Sequence, residues 1–481
     1  MAENRGYLHA PIPSAEGGYR SAKYSFGGLN LKLDTDTGEL TEAKNVSLDR
    51  LPMLTSMPKP SFVWGVLGEP ISIHAFDGFL LVVYRDEGKV MLGCIKDGGR
   101  MFYKGVLDET GEEMSPRSIV QFNVYSDPED PVGGEYIKKL LIFPDKLSVD
   151  YEITADFTPA TLDAGENVLP NIKYACVYYS RLFGVDDDRI YASAFNDYAN
   201  FNLDTADETS EANAWVTTAQ SNVKSGGSFT GICAYGGHVI AFKRDYTHEI
   251  YNNKNPFRVY DIFNEGCVDQ RSIAEVDGGL YYVSPDGVRL YTGGNPRDVG
   301  ESLDMTHFES GVGAGYKGSY YLAAKVNGEH RVLVYSVSSG AWSSVDVGAE
   351  VISLASSSDG IYALTLSREV WRLDTEDYSA CFEFATDIMT GGSVDIKRVK
   401  KLQAAVEVER GGIITVYLEG DDGVRRELVS SYGRYGKLVL RCGVTMTAGV
   451  GHRLIFAGKG RITLRGFELI YAEGGERYDR N

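Results

Sequence analysis

Apolar and polar positions along this chain follow a rhythm of about forty residues through its central two-thirds. A loose lead ends in a small or turn residue, a short apolar run follows, then a polar turn, then a second run ending in an aromatic, with Leu373 in that place in the last copy. Gly236, Gly278, Gly318 and Gly360 mark the turn ahead of the first run and lie 42, 40 and 42 residues apart. The first runs are Val239–Phe242, Leu280–Val283, Tyr320–Ala323 and Ile361–Leu364. The second runs are Thr247–Tyr251, Val288–Tyr291, Val332–Tyr335 and Val370–Leu373. A unit of this size, made only of strands and turns, cannot bury both of its faces alone and must stack on copies of itself. The rhythm therefore predicts an all-β chain built around a β-propeller.

Looser copies precede these four. Phe76–Val82 fits well, Lys139–Phe143 with Leu147–Tyr151 supplies another, and Arg181–Val185 with Ile190–Tyr191 fits without the glycine. Gly78 and Arg181 stand 103 residues apart, room for about two units and a longer loop. Six or seven blades are expected, seven preferred, beginning near Gly78, Leu140, Arg181, Gly236, Gly278, Gly318 and Gly360.

On either side the rhythm fails. Residues 1–60 read as an extended N-terminal arm that lies on the body or closes the ring, ahead of a propeller over 61–377. In 378–481 long alternating runs take over. Leu402, Val406, Ile414, Val416, Leu438, Leu440, Ile462 and Leu464 alternate with polar neighbours. Period-two alternation gives each strand one buried and one wet face, which predicts a C-terminal antiparallel β-sandwich with these residues in its core. Helical periodicity is almost absent; a short stretch near Thr209–Thr217 is the best candidate.

Length and composition suit a propeller plus one further module: 481 residues, with 55 glycines for turns and 31 tyrosines for half-buried strands. No window approaches the roughly 18 consecutive apolar residues of a membrane span, and the polar start carries no secretory signal. The six cysteines are scattered without a C-x-x-C pair, so they read as buried, reduced thiols of a protein made in a cytoplasm. Charge is uneven. Residues 391–481 hold 16 Lys and Arg against 11 Asp and Glu, whereas the rest holds 32 against 56. So acidic a body does not wrap nucleic acid, which requires clustered cations.

Candidate chemistry is sparse. Gly313-Ala-Gly-Tyr-Lys-Gly318 fits a dinucleotide-binding run literally, but a strand and no helix follows it, so it reads as a turn. Ser284-Pro-Asp-Gly287 and Ser357-Ser-Asp-Gly360 resemble sialidase-type boxes, and an Asp-Gly hairpin turn explains both. Asp186-Asp-Asp188 could attract a cation but lies in a hairpin. The seven histidines show no metal-ligand spacing. The expectation is that the chain is not an enzyme, holds no cofactor or metal and has no catalytic residues. A glycosidase, with carboxylates converging from different blades, is the enzymatic alternative. Arg398, Lys400, Lys401, Arg461 and Arg465 form the candidate assembly interface, a basic patch on the sandwich; a solvated strand face explains any one of them equally well.

One succession goes further than rhythm. Leu182-Phe-Gly184, Ser193-Ala194, Phe201, Gly231-Ile232 and Val239–Phe242 are followed by His248–Tyr251, Gly266-Cys267, Arg271–Ile273 and Asp286–Val288. Later come Arg331–Tyr335 with Trp342, and Arg461–Leu469. This order resembles the tail-hub proteins, also called head-completion or DNA-stabilisation proteins, of tailed double-stranded-DNA bacteriophages. The resemblance implies a structural virion protein in the tail or neck, made in the host bacterial cytoplasm. Copies would form a ring, a hexamer or dodecamer, beneath portal and adaptor proteins. The ring would carry tail fibre or spike proteins and let packaged DNA pass without sequence-specific binding, with no membrane partner. The alternative is a receptor- or glycan-binding propeller of a tail tip or fibre.

Overall fold

The structure is a computed structural model that describes residues 12–13, 19–24, 26–32, 38–76, 78–96, 99–112, 114–125, 136–144, 147–151, 160–161, 170–203, 213–218, 226–263, 265–303, 308–390, 396–433 and 437–473. It is all-β. Among the described residues the helical turns are two short 3-10 segments, Gln270–Ser272 and Glu301–Leu303. The helical expectation near Thr209–Thr217 is corrected: Trp215–Thr217 is a strand, and 209–212 lie outside the described residues.

The recurring unit is a four-stranded antiparallel meander whose strands pair in chain order, as in a propeller blade. Such meanders occupy 69–108 (unit I), 118–161 (unit II), 174–217 (unit III), 229–263 (unit IV), 274–298 (unit V) and 312–345 (unit VI). Unit VII is composite. Val351–Ser357, Gly360–Thr365 and Glu369–Arg372 take their outer strand, Ser61–Gly65, from before unit I, with Glu369 opposite Gly65 and Arg372 opposite Ser61.

Apolar side chains pack between units rather than within them, because each strand pair has two faces and only a neighbour can cover both. Leu81, Leu92, Leu140 and Ile142 join I to II, and Phe122, Leu141, Ala175 and Leu182 join II to III. Phe183, Ile190, Ile232 and Val239 join III to IV, and Ile240, Phe242, Leu280 and Tyr282 join IV to V. Tyr281 meets Tyr320 between V and VI, stacked at 5.3 Å. Val312, Val332, Leu354 and Ile361 join VI to VII, and Ala355, Leu364, Ile73 and Leu80 join VII back to I. First strands are also tied by polar side chains. Ser353 Oγ accepts from Ile73 N, Ser118 Oγ accepts from Ala175 N, and Gln270 exchanges bonds with both backbone groups of Ile232.

The phase of the repeat differs from the sequence reading. The marker glycines sit between the first and second strands of each unit, so each begins one strand earlier than expected. Asp277-Gly278 (φ 47° and 75°) and Lys317-Gly318 (φ 44° and 74°) have both central residues left-handed, the type I′ geometry that matches strand twist. Gly313 and Gly315 are strand residues. A Cβ on Gly313 would lie 2.6 Å from the Ser272 carbonyl oxygen, and one on Gly315 would lie 2.5 Å from that of Glu275. These glycines let unit VI close on unit V, and the reading of the whole run as a turn is corrected: the turn is Lys317-Gly318, behind a strand.

Two larger sheets lie beside this body. One orders Ile12–Pro13, Tyr19–Tyr24, Ile462–Glu473, Lys397–Val408 and Lys437–Gly449, with Met53–Ser56 also pairing onto Ile462–Glu473. The other continues unit VI through Leu40–Lys44 to Cys381–Thr386, His452–Lys459, Ile413–Gly420 and Arg425–Tyr432. Their facing side chains share one apolar cluster. Leu402, Val406, Ile414, Val416, Leu440, Ile462 and Leu464 are all buried there, with Phe384 stacked on Phe456 at 4.8 Å; the side chain of Leu438 lies outside the described residues. Leu40, Ala43, Val46 and Leu54 from the early chain are in the same core.

Candidate assembly surface

The basic residues singled out in the sequence fall into two groups. Arg398, Lys400 and Lys401 lie at the start of Lys397–Val408, where the side chains alternate between the core and the outer face. Arg398 and Lys400 are exposed, and none of the three forms an ion pair among the described residues. Arg461 and Arg465 belong to the far end. Arg398 is opposite Ala472, whereas Arg465 lies beside the bulge facing Ala405 and Val406. Seven residues of strand separate the groups by roughly 23 Å at about 3.3 Å per residue. The far pair is already engaged: Arg465 Nη2 lies 3.1 Å from Glu407, and Arg461 lies 3.6 Å from Glu409 with its guanidinium over Tyr378 at 4.9 Å. Among the described residues the first group, unlike the far pair, is therefore without an ion pair.

Where the second large sheet meets unit VI, charges are paired in detail. Arg331 bridges Glu42 and Glu329, Lys44 meets Asp346, and Arg425 reaches Glu383 at 3.1 Å. Asn45, with φ 55°, donates to the Cys381 carbonyl at 2.7 Å and accepts from Asp346 N at 2.8 Å. One side chain thus links unit VI, the early chain and the second sheet.

Other motifs have local roles. Asp186 accepts from Asp188 N, Arg189 N and the Tyr191 hydroxyl, so it shapes its turn. The Lys173 ammonium holds the Asp187 carboxyl below the usual range. No group of three or more metal-ligating side chains occurs among the described residues. Asp286-Gly287 and Asp359-Gly360 sit at hairpins between strands. Burial pushes the Cys94 thiol up to about 11 and Cys267 up to about 12. The reading of all six cysteines as buried is corrected, because Cys381 is exposed on a strand face that fronts solvent.

Sequence reasoning missed a buried polar cluster between units IV and V. The Glu249 side chain is 3% exposed and accepts from the Tyr251 hydroxyl at 2.5 Å and from the Tyr291 hydroxyl of the next unit. The hydrogen bond to Glu249 pushes the Tyr251 phenol up to about 12. His238 stacks on Tyr251 at 4.6 Å, with Nε2 3.8 Å from Glu249. Two tyrosines repeat one link: Tyr178 donates to the Gly237 carbonyl, and Tyr235 donates to that of Gly278 at 2.6 Å. The only signal in the sequence was an aromatic just ahead of the turn.

No protein-family model matches the chain, and no curated protein matches its sequence. Among solved structures it is similar to virginiamycin B lyase from Staphylococcus aureus, at 9% identity and a TM-score of 0.41 over 67% of this chain and 99% of that one. It is similar to BamB from Moraxella catarrhalis, at 10% and 0.37 over 74% and 98%. It is also similar to a glycoside hydrolase family 43 arabinoxylan arabinofuranohydrolase from Bacillus subtilis, at 11% and 0.23 over 85% and 96%. These likenesses are of fold alone. They nevertheless correct the expectation that the chain is not an enzyme, since lyases and glycoside hydrolases stand among its neighbours. Ligand spacing along one element was the wrong test, because side chains from separate sheets can converge in such a fold.

Proposed function

We propose that this chain is a structural virion protein of a tailed bacteriophage, a ring-forming hub or head-to-tail connector beneath the portal and adaptor. In this reading the seven meanders are seven blades of one closed propeller, sealed by Ser61–Gly65, and the two large sheets are a C-terminal β-sandwich. The early strands Leu40–Lys44 and Met53–Ser56 are built into that sandwich. Copies assemble through it, and the acidic body supplies the wall past which DNA slides.

The observation that carries the reading is that the end strands of the sandwich join no further ladder. Among the described residues Lys437–Gly449 and Arg425–Tyr432 end their sheets; they touch each other, with Cys442 Sγ donating to the Leu428 carbonyl at 2.9 Å, but no ladder pairs them. Unpaired edges are templates for association. Beside them stand Arg398, Lys400 and Lys401, while the rest of the chain carries the acidic excess that a neighbour would present. The succession of residues running from Leu182 to Val288, and the fibre-bearing role that it implies, agrees with such a part.

Native mass spectrometry and negative-stain imaging of the full chain test this. The expected result is a closed ring of several copies at low salt that binds a portal–adaptor complex. A monomer at every concentration, or binding to host glycan with no ring, overturns it.

A further inference from the structure

Beside the paired charges at the junction lies a groove that the assembly reading does not use. Its volume is about 560 Å³, within the few-hundred to thousand Å³ range of ligand sites. The floor is the outer face of the second large sheet, from Ile413, Thr415 and Tyr417 to Ala457 and Lys459. The opposite wall is Pro60 and Trp371 of unit VII, and the loop 346–348 closes one side. The groove is open along its length, which suits a chain segment better than an enclosed small molecule.

Its charge is one-sided. Lys44 is neutralised by Asp346, and Glu383 by Arg425. Lys59 and Lys459 line the same groove, are exposed, and form no ion pair among the described residues; the carboxylate that senses Lys59, Asp377, stands outside the lining. The apolar floor and aromatic wall would bury side chains, and the two ammonium groups would pair with carboxylates. We propose that this groove binds an extended acidic peptide bearing apolar side chains. The site stands on its own lining and needs no ring.

The test titrates the full-length protein with a fluorescein-labelled peptide of about ten residues alternating Glu and Leu, read by anisotropy. A peptide with Gln in place of Glu is the control. Saturable binding is expected for the Glu peptide, at least about tenfold weaker for the Gln peptide and for K59E/K459E. The variant should fold normally, since both lysines are exposed; circular dichroism and the melting temperature check this. Bound peptide should also slow alkylation of Cys381, the exposed thiol in the lining. Absence of binding, or binding unchanged by K59E/K459E or by the Gln substitution, overturns the site. Peptide binding by a chain that forms no rings would sink the assembly reading and leave this one standing.

Discussion

At the scale of single residues, turn geometry explains both the visible repeat and its gap. Units IV, V and VI turn on glycine pairs or X-Gly, whereas unit III turns on Tyr179-Ser180 with φ 45° and 54°. The left-handed region costs a non-glycine residue energy that glycine escapes. Ser180→Gly should therefore stabilise the protein by about 0.5–1 kcal/mol, seen as a higher urea midpoint with an unchanged m-value. Tyr291→Phe should do the reverse. It removes a donor from a carboxylate that is 3% exposed, and a cost of about 1–3 kcal/mol is expected for the lost bond and the underpaired acceptor. His74 gives a pH signature. Desolvation holds its imidazole down at about 4 against an ordinary 6.5, with Ser72 Oγ at 3.2 Å. The unfolded chain thus binds a proton below pH 6.5 that the folded chain refuses until about 4. This group's contribution is full above 6.5 and falls away between those values, with a slope of at most about 1.4 kcal/mol per pH unit. His74→Gln should flatten that part of the stability–pH curve.

Among elements, legibility followed burial. The second and third strands of each unit, such as His238–Lys243 and Thr247–Tyr251, are covered on both sides and read as apolar runs at nearly their true bounds. First strands did not, because close packing against the neighbouring unit selects small and polar residues, as in Val312-Gly-Ala-Gly-Tyr316 with its two space-making glycines. Outer strands such as Arg297–Asp298 are too short to carry a period. The closing strand Ser61–Gly65 pairs some 300 residues away, a contact that no local pattern encodes. The core of the large sheets was readable since alternation there is long, but the early strands Leu40–Lys44 and Met53–Ser56 looked like an arm because each is too short to show a face. The basic patch was legible as composition only; strand register splits it and glutamates neutralise two of its five cations. Val416 lies at 0% exposure among Ile414, Phe456 and Leu454. Val416→Asp should cost several kcal/mol, of the order of an unpaired buried ion after relaxation, and a fluorescence-detected melt would register it.

For the whole molecule, the early chain matters more than an arm would. Leu40, Ala43, Val46 and Leu54 sit in the shared core, and Leu40–Lys44 bridges Ala341–Val345 of unit VI to Cys381–Thr386. Deleting residues 1–55 should therefore expose the core of the large sheets and raise their hydrogen exchange, rather than leave a sound protein that merely fails to assemble. The cleaner probe of assembly is charge. If copies join through the free end of Lys397–Val408, a triple R398E/K400E/K401E variant retains its fold, since Arg398 and Lys400 are exposed and Lys401 is half-buried, yet loses the ring. High salt should have the same effect on the unaltered protein, because exposed charges are screened beyond a Debye length of about 8 Å at physiological ionic strength. Replacing Arg461 and Arg465 should weaken the ring far less, since Glu409 and Glu407 already hold them. Sedimentation velocity across a salt series separates the cases. A ring indifferent to both salt and the triple variant would move the contact to the unpaired backbone edges, where pairing needs no charge.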